Sequence, residues 1–77
     1  MIIKIPELWD SKELGRAVVA MIYISIGDMI KAATPVCQIM AAKVTMEIPA
    51  KFAGKAIKII VQINSEVEPG DPVIELE

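Results

Sequence analysis

The chain has 77 residues, 8 basic and 10 acidic side chains for a net charge of −2, and 55% apolar residues. That length gives one domain, expected to span residues 1–77, and the apolar content excludes disorder, because disordered chains are polar and highly charged. The acidic balance and only three aromatics (Trp9, Tyr23, Phe52) argue against a nucleic-acid partner, which asks for a basic face with stacking platforms.

A membrane partner is not expected either. The longest uninterrupted apolar stretch, Ala17–Ile24, falls far short of the ~20 residues that cross a bilayer. Met1 leads straight into a strand-like run with no basic leader, so a cytoplasmic location is expected, or the mitochondrial matrix for a domain cut from a larger eukaryotic chain. There is one cysteine, Cys37, and no histidine. An intramolecular disulfide, the usual zinc sites and every mechanism needing an imidazole base are thereby excluded. A domain this small buries only about 60% of its unfolded surface, so its aliphatic core must hold it together unaided. Fourteen Ile and seven Val stand against three Leu, a composition that suits pleated surfaces better than helices.

In chain order, Ile2–Ile5 reads as a short strand. Ala17–Ile26 is apolar on both faces and predicts a strand covered on both sides. A closing strand follows around Cys37 and Ile39, ending near Met40. Val44–Ile48 then sets Val44, Met46 and Ile48 against Thr45 and Glu47. In Ala56–Ile63, Ile57, Ile59, Val61 and Ile63 share the expected inner face, with Lys58 and Gln62 outward. Val73–Glu77 opposes Ile74 and Leu76 to Glu75 and Glu77. No stretch carries a helical stripe. Turn signals separate the runs at Gly15, Gly27-Asp28, Thr34-Pro35, Pro49, Gly54 and Pro69-Gly70-Asp71-Pro72.

An internal repeat runs at an offset of 37 residues. Ala20, Ile22, Ile24 and Ile26 fall on Ile57, Ile59, Val61 and Ile63; Ile30 falls on Val67, Pro35-Val36 on Pro72-Val73, and Cys37 and Ile39 on Ile74 and Leu76. Neither half can bury a face alone, so the two must pack on each other. The expected fold is all-β: a flattened sandwich or barrel of two small antiparallel sheets with quasi-two-fold symmetry. Cys37, matching Ile74, reads as a buried small hydrophobe. Asp28 and Asp71 read as turn residues capping their own backbone.

No nucleophile–base pair and no phosphate loop occurs. One position resists a purely structural reading. Ala41-Ala42-Lys43 joins two strands where a tight hairpin normally asks for Gly, Asn or Asp. The repeat puts Lys43 at the joint between halves, at the opposite end of the body from the termini.

Several segments together carry a resemblance. They are Ile3-Lys4-Ile5-Pro6-Glu7-Leu8, Ile24-Ser25-Ile26-Gly27-Asp28-Met29-Ile30, Lys43-Val44-Thr45-Met46-Glu47-Ile48-Pro49-Ala50 and Phe52-Ala53-Gly54-Lys55. Gly27 lies 16 residues before Lys43 and Gly54 lies 11 after it. Over essentially its whole length the chain resembles the biotinyl/lipoyl carrier domains (barrel-sandwich hybrids), most closely a lipoyl domain of a 2-oxo acid dehydrogenase complex acyltransferase. The resemblance implies a non-catalytic carrier with lipoic acid on Lys43, a swinging arm reaching on the order of 12–15 Å by bond-length counting. It implies as partners a lipoate-attaching ligase, a thiamine-dependent 2-oxo acid decarboxylase, the acyltransferase catalytic domain and dihydrolipoamide dehydrogenase, with the isolated domain monomeric. Biotin is the alternative cofactor, though biotin acceptors usually carry Met on both sides of the lysine, where Ala42 and Val44 stand here. An unmodified lipoyl-like structural or interaction module, natural or engineered, is the third reading. The chain departs from the lipoyl pattern at Ala42, preceded by Ala41, where the family usually has Asp before the lysine, at Met40, where Glu is common, and at Asn64-Ser65, where the second half has no Gly-Asp.

Overall fold

The β-branched runs form eight strands around one apolar core, as seen in a computed structural model that describes all 77 residues. In chain order these are β1 (Ile2–Lys4), a short helix α1 (Ser11–Leu14), β2 (Ala17–Ile22), β3 (Met29–Ile30), β4 (Pro35–Ala41), β5 (Val44–Pro49), β6 (Gly54–Ile59), β7 (Glu66–Val67) and β8 (Pro72–Leu76). They make two four-stranded antiparallel sheets, ordered β1-β8-β6-β3 and β5-β4-β2-β7. The predicted all-β sandwich is the observed architecture. No helix is long and apolar enough to cross a membrane.

The 37-residue repeat is visible strand by strand. β2, β3 and β4 map onto β6, β7 and β8, and the pairing of Ile30 with Gly54 repeats in Val67 with Ala17. Turn chemistry repeats as well. Asp28 Oδ2 accepts from the Ser25 N–H at 2.8 Å, and Ser65 Oγ accepts from the Gln62 N–H at 3.1 Å, 37 residues later. Gly27 at φ 98° answers to Asn64 at 73°, and Gly70 at 94° to Ala33 at 72°. Thus Asn64-Ser65 does the work of a Gly-Asp turn with other side chains, since Asn tolerates the left-handed region. Asp71 Oδ2 likewise accepts from the Glu68 N–H at 2.9 Å.

Register shifts explain where simple alternation breaks. β2 shifts at Ala20 and β6 at Ile57, again 37 residues apart; one extra residue there moves the following side chains to the other face. Ile57 is therefore exposed while Ile59 stays half-buried and Val61 buried; Ile63, in the turn beyond β6, is 56% exposed. The inner set expected from strict alternation is thus corrected to Ala56, Ile59 and Val61. The same device puts consecutive residues inside at Val36-Cys37 and Val73-Ile74. Ala17–Ile26 is likewise not one strand covered on both sides. Pairing with β4 stops at Ile22, and Met21, Tyr23 and Ile26 lie in solvent. The sandwich has only two layers, so each sheet keeps a wet outer face.

One helix escaped the sequence. Asp10 caps α1 by accepting from the Lys12 N–H at 2.8 Å, and the Gly15 N–H closes the single turn on the Ser11 carbonyl. Trp9 pins this connection, its indole N–H donating to the Gly15 carbonyl at 2.9 Å while the ring fills the core. Four residues are too few to show a 3.6-residue stripe. Arg16 ties the same segment to β7 through exposed ion pairs with Glu66 and Glu68, which raise its already high pKa and add little stability.

Every one of the 19 buried residues is apolar, and no buried side-chain polar atom lacks a partner. Cys37 is among them, and its burial pushes the thiol from its ordinary value near 9 up to about 11. Truncating Ile48 to Ala at the fully buried centre is expected to cost about 2–5 kcal/mol in chemical denaturation, against under about 0.5 kcal/mol for Ile63→Ala. Cys37 also sets a pH dependence. The unfolded thiol ionises first, so its contribution is complete below about pH 9 and falls as pH rises toward about 11. Denaturation across that window should show a decline for the parent chain that Cys37→Ala flattens.

Candidate functional site

Lys43 stands on the tightest connection in the molecule. β4 and β5 pair down to Ala41 opposite Val44, which leaves only Ala42 and Lys43 to reverse the chain. Both have positive φ, 49° and 70°, the signature of the mirror-image two-residue hairpin turn. That turn matches the right-handed twist of the two strands, which is why the pairing imposes it on residues that do not favour it. Ala41, 1% exposed, anchors the base of the hairpin in the core, whereas Ala42, Lys43 and Val44 are exposed. The absence of Gly, Asn or Asp in the sequence is thus a real conflict, resolved at the expense of local strain.

The hairpin places the Lys43 amine in solvent with no carboxylate partner, since the ion pairs of the molecule all belong to Arg16. An exposed, unpaired amine on a rigid tip suits amide formation with a carboxylic acid. The other lysines sit elsewhere. Lys31 follows β3 in a turn, Lys51 lies in the link between halves, and Lys55 and Lys58 are on β6, with Lys58 on the outer face as expected. Lys43 is the one lysine on a hairpin tip. The termini occupy the pseudo-symmetric place: the Met1 ammonium donates to the Leu76 carbonyl at 2.7 Å where β1 and β8 meet, and β1 and β8 correspond to β5 and β4.

No cluster of three or more His, Cys, Asp or Glu side chains could hold a metal. Two open concavities exist, of about 510 Å³ beside α1 and about 290 Å³ between β1 and Lys51-Phe52, and neither includes Lys43. What the tip offers is an exposed amine on a rigid hairpin.

Positive φ at an alanine costs about 1–2 kcal/mol relative to the right-handed region, a penalty glycine does not bear. Ala42→Gly is therefore expected to raise stability by about 1 kcal/mol, read as a higher denaturation midpoint with unchanged slope. A loss of stability would show that the turn is not strained.

A family model described as "Biotin-requiring enzyme" matches residues 3–76. The chain is 31% identical over 74 residues to the dihydrolipoyllysine-residue acetyltransferase component of the pyruvate dehydrogenase complex of Azotobacter vinelandii, covering 96% of this chain and 11% of that protein. It is 34% identical over 64 residues to the component of the same name from Mycoplasma capricolum, covering 83% and 15%. It is also 34% identical over 56 residues to the biotin carboxyl carrier protein of acetyl-CoA carboxylase of a Nostoc species, covering 73% and 31%. The chain spans between about a tenth and a third of the length of these relatives. Domains of this kind are carriers without catalysis of their own and hold lipoic acid or biotin covalently. By fold and by sequence, the chain belongs to the biotin/lipoyl carrier-domain family.

Proposed function

We propose that residues 1–77 form a lipoyl carrier domain and that Lys43 is its acceptor. The observation that carries this reading is the position of Lys43, alone on the exposed two-residue tip of β4–β5. Lys43 Nζ would condense with the carboxyl group of lipoic acid to an amide, with loss of one water. Lipoamide, when bound, supplies a dithiolane that carries acyl groups and reducing equivalents. The hairpin holds the base of the arm still, the paired strands transmit that rigidity to the core, and the tethered end is kept at high effective concentration near a docked active site. Lipoate is favoured over biotin by Ala42 and Val44 beside the lysine, by the run Thr45-Met46-Glu47-Ile48, and by the acetyltransferase relatives.

The relatives further suggest service to a 2-oxo acid dehydrogenase complex such as that for pyruvate. Its partners would be an attaching ligase, a thiamine-dependent decarboxylase, an acyltransferase domain and dihydrolipoamide dehydrogenase. A reducing compartment suits the free Cys37. Biotin carriage is the second reading, supported by the Nostoc relative.

Intact-mass spectrometry after incubation with a lipoate ligase, and separately with a biotin ligase, tests the proposal. A gain of about 188 Da located at Lys43 is expected, against about 226 Da for biotin. Lys43→Arg should abolish labelling with the melting curve unchanged. Continued labelling of that variant would move the acceptor to another lysine, and no adduct on the folded parent chain would leave an unmodified structural module.

A further inference from the structure

The pseudo-two-fold gives each outer-face residue a counterpart in a matching backbone environment. In the sheet without the hairpin, the exposed face of β6 and β8 carries, besides Ile57, the charged Lys55, Lys58 and Glu75, with Glu77 just past β8 and Lys58 directly opposite Glu75. Their counterparts 37 residues earlier, on β2 and β4, are Val18, Met21, Gln38 and Met40. Val18 pairs with Met40 and Met21 with Gln38, so these four form one continuous patch without charge. Met21 is 50% exposed and Met40 39%. The fold accepts lysine and glutamate at these positions, as the other sheet demonstrates; nothing in the packing asks for methionine and valine here.

We infer that this uncharged outer face of β2 and β4 is the resting surface of the acyl arm carried on Lys43. The inference rests on Lys43 being the acceptor. Three features select this occupant. The patch begins at the hairpin: Met40 lies two residues below the turn, about 7 Å along the strand, and the Met21–Gln38 pair about 14 Å, within or at the limit of the ~12–15 Å arm. Its size is right. Two strand spacings by about 14 Å is on the order of 140 Å², enough for an eight-carbon chain and far below the ~800 Å² per partner of a stable protein interface. Its frame includes the unpaired Glu47 beside Gln38, whereas Glu66 beside Val18 is held by Arg16. The Glu47 carboxylate repels an anion but tolerates an arm whose carboxyl has become a neutral amide. Methionine is a fitting contact, since its flexible thioether adapts to a moving apolar chain.

The face can be tested without any ligase. In Lys43→Cys, a thiol-specific octyl methanethiosulfonate installs an eight-carbon arm at the tip, while Cys37 is shielded by burial. A methyl methanethiosulfonate adduct is the short control. With methyl-¹³C-methionine labelling, the octyl arm is expected to displace the Met21 and Met40 methyl resonances well beyond the control, and to leave Met29, on β3 of the other sheet, unmoved. Identical spectra for the two adducts would overturn the inference. So would concentration-dependent broadening of Met21 and Met40 before labelling, which would give the face to a second copy. Ligase labelling of the parent chain separately decides whether Lys43 is the acceptor, so the two ideas fail by different readouts.

Discussion

The structure depends on an exchange between its two halves. Each contributes a long strand and a closing strand to its own sheet but lends its two-residue strand to the other: β3, from the first half, completes the sheet of β8 and β6, and β7, from the second, completes that of β4 and β2. Ile30 and Val67 are the buried residues on those loaned strands. Neither sheet is complete without the partner half, so the core closes only when both have formed. That interlock explains how 77 residues with no disulfide and no buried polar network can hold one structure through apolar burial alone.

The proposed attachment point is a consequence of the same symmetry. The chain starts and ends where β1 meets β8, and the equivalent place in the other sheet must be bridged by a covalent turn, the β4–β5 hairpin. A two-residue link between twisted antiparallel strands demands left-handed backbone at both positions, and Ala42 and Lys43 comply. The body therefore offers a stiff tip with an unpaired amine and no catalytic apparatus. Such an object contributes position: it brings a tethered group to sites that other proteins must supply.

Much of this was legible in the sequence because the repeat was. The offset of 37 residues pairs strands, turns and even irregularities, so the two-sheet body and the buried Cys37 follow from it, while the caps at Asp28 and Asp71 follow from the habit of Asp in turns. What was hidden is local. A one-residue shift at Ala20 and Ile57 leaves the composition of a strand unchanged while exposing Ile57, and Ile63 is exposed because β6 ends before it. The run Ala17–Ile26 reads as covered because it is apolar on both faces, yet Met21, Tyr23 and Ile26 face water. α1 was too short for a periodic signal, although Asp10 and Gly15 marked its ends. Ala33 at φ 72° gave no sign at all, since only its counterpart, Gly70, advertises the turn. The acceptor assignment drew on the motif around Lys43; burial and pairing add the geometry that makes the tip suitable.

The proposed acceptor, Lys43, is presented by its place on a rigid two-residue turn rather than by the side chains around it. Exchanging the two tip residues, Ala42→Lys with Lys43→Ala, keeps composition, charge and loop length and moves the amine by one backbone position. Lipoate-ligase labelling of this variant is read by intact mass alongside a melting curve. A folded domain that gains no adduct is expected. Full labelling at the new position would mean that the ligase reads any exposed lysine near the tip, and that the hairpin geometry does not define the site.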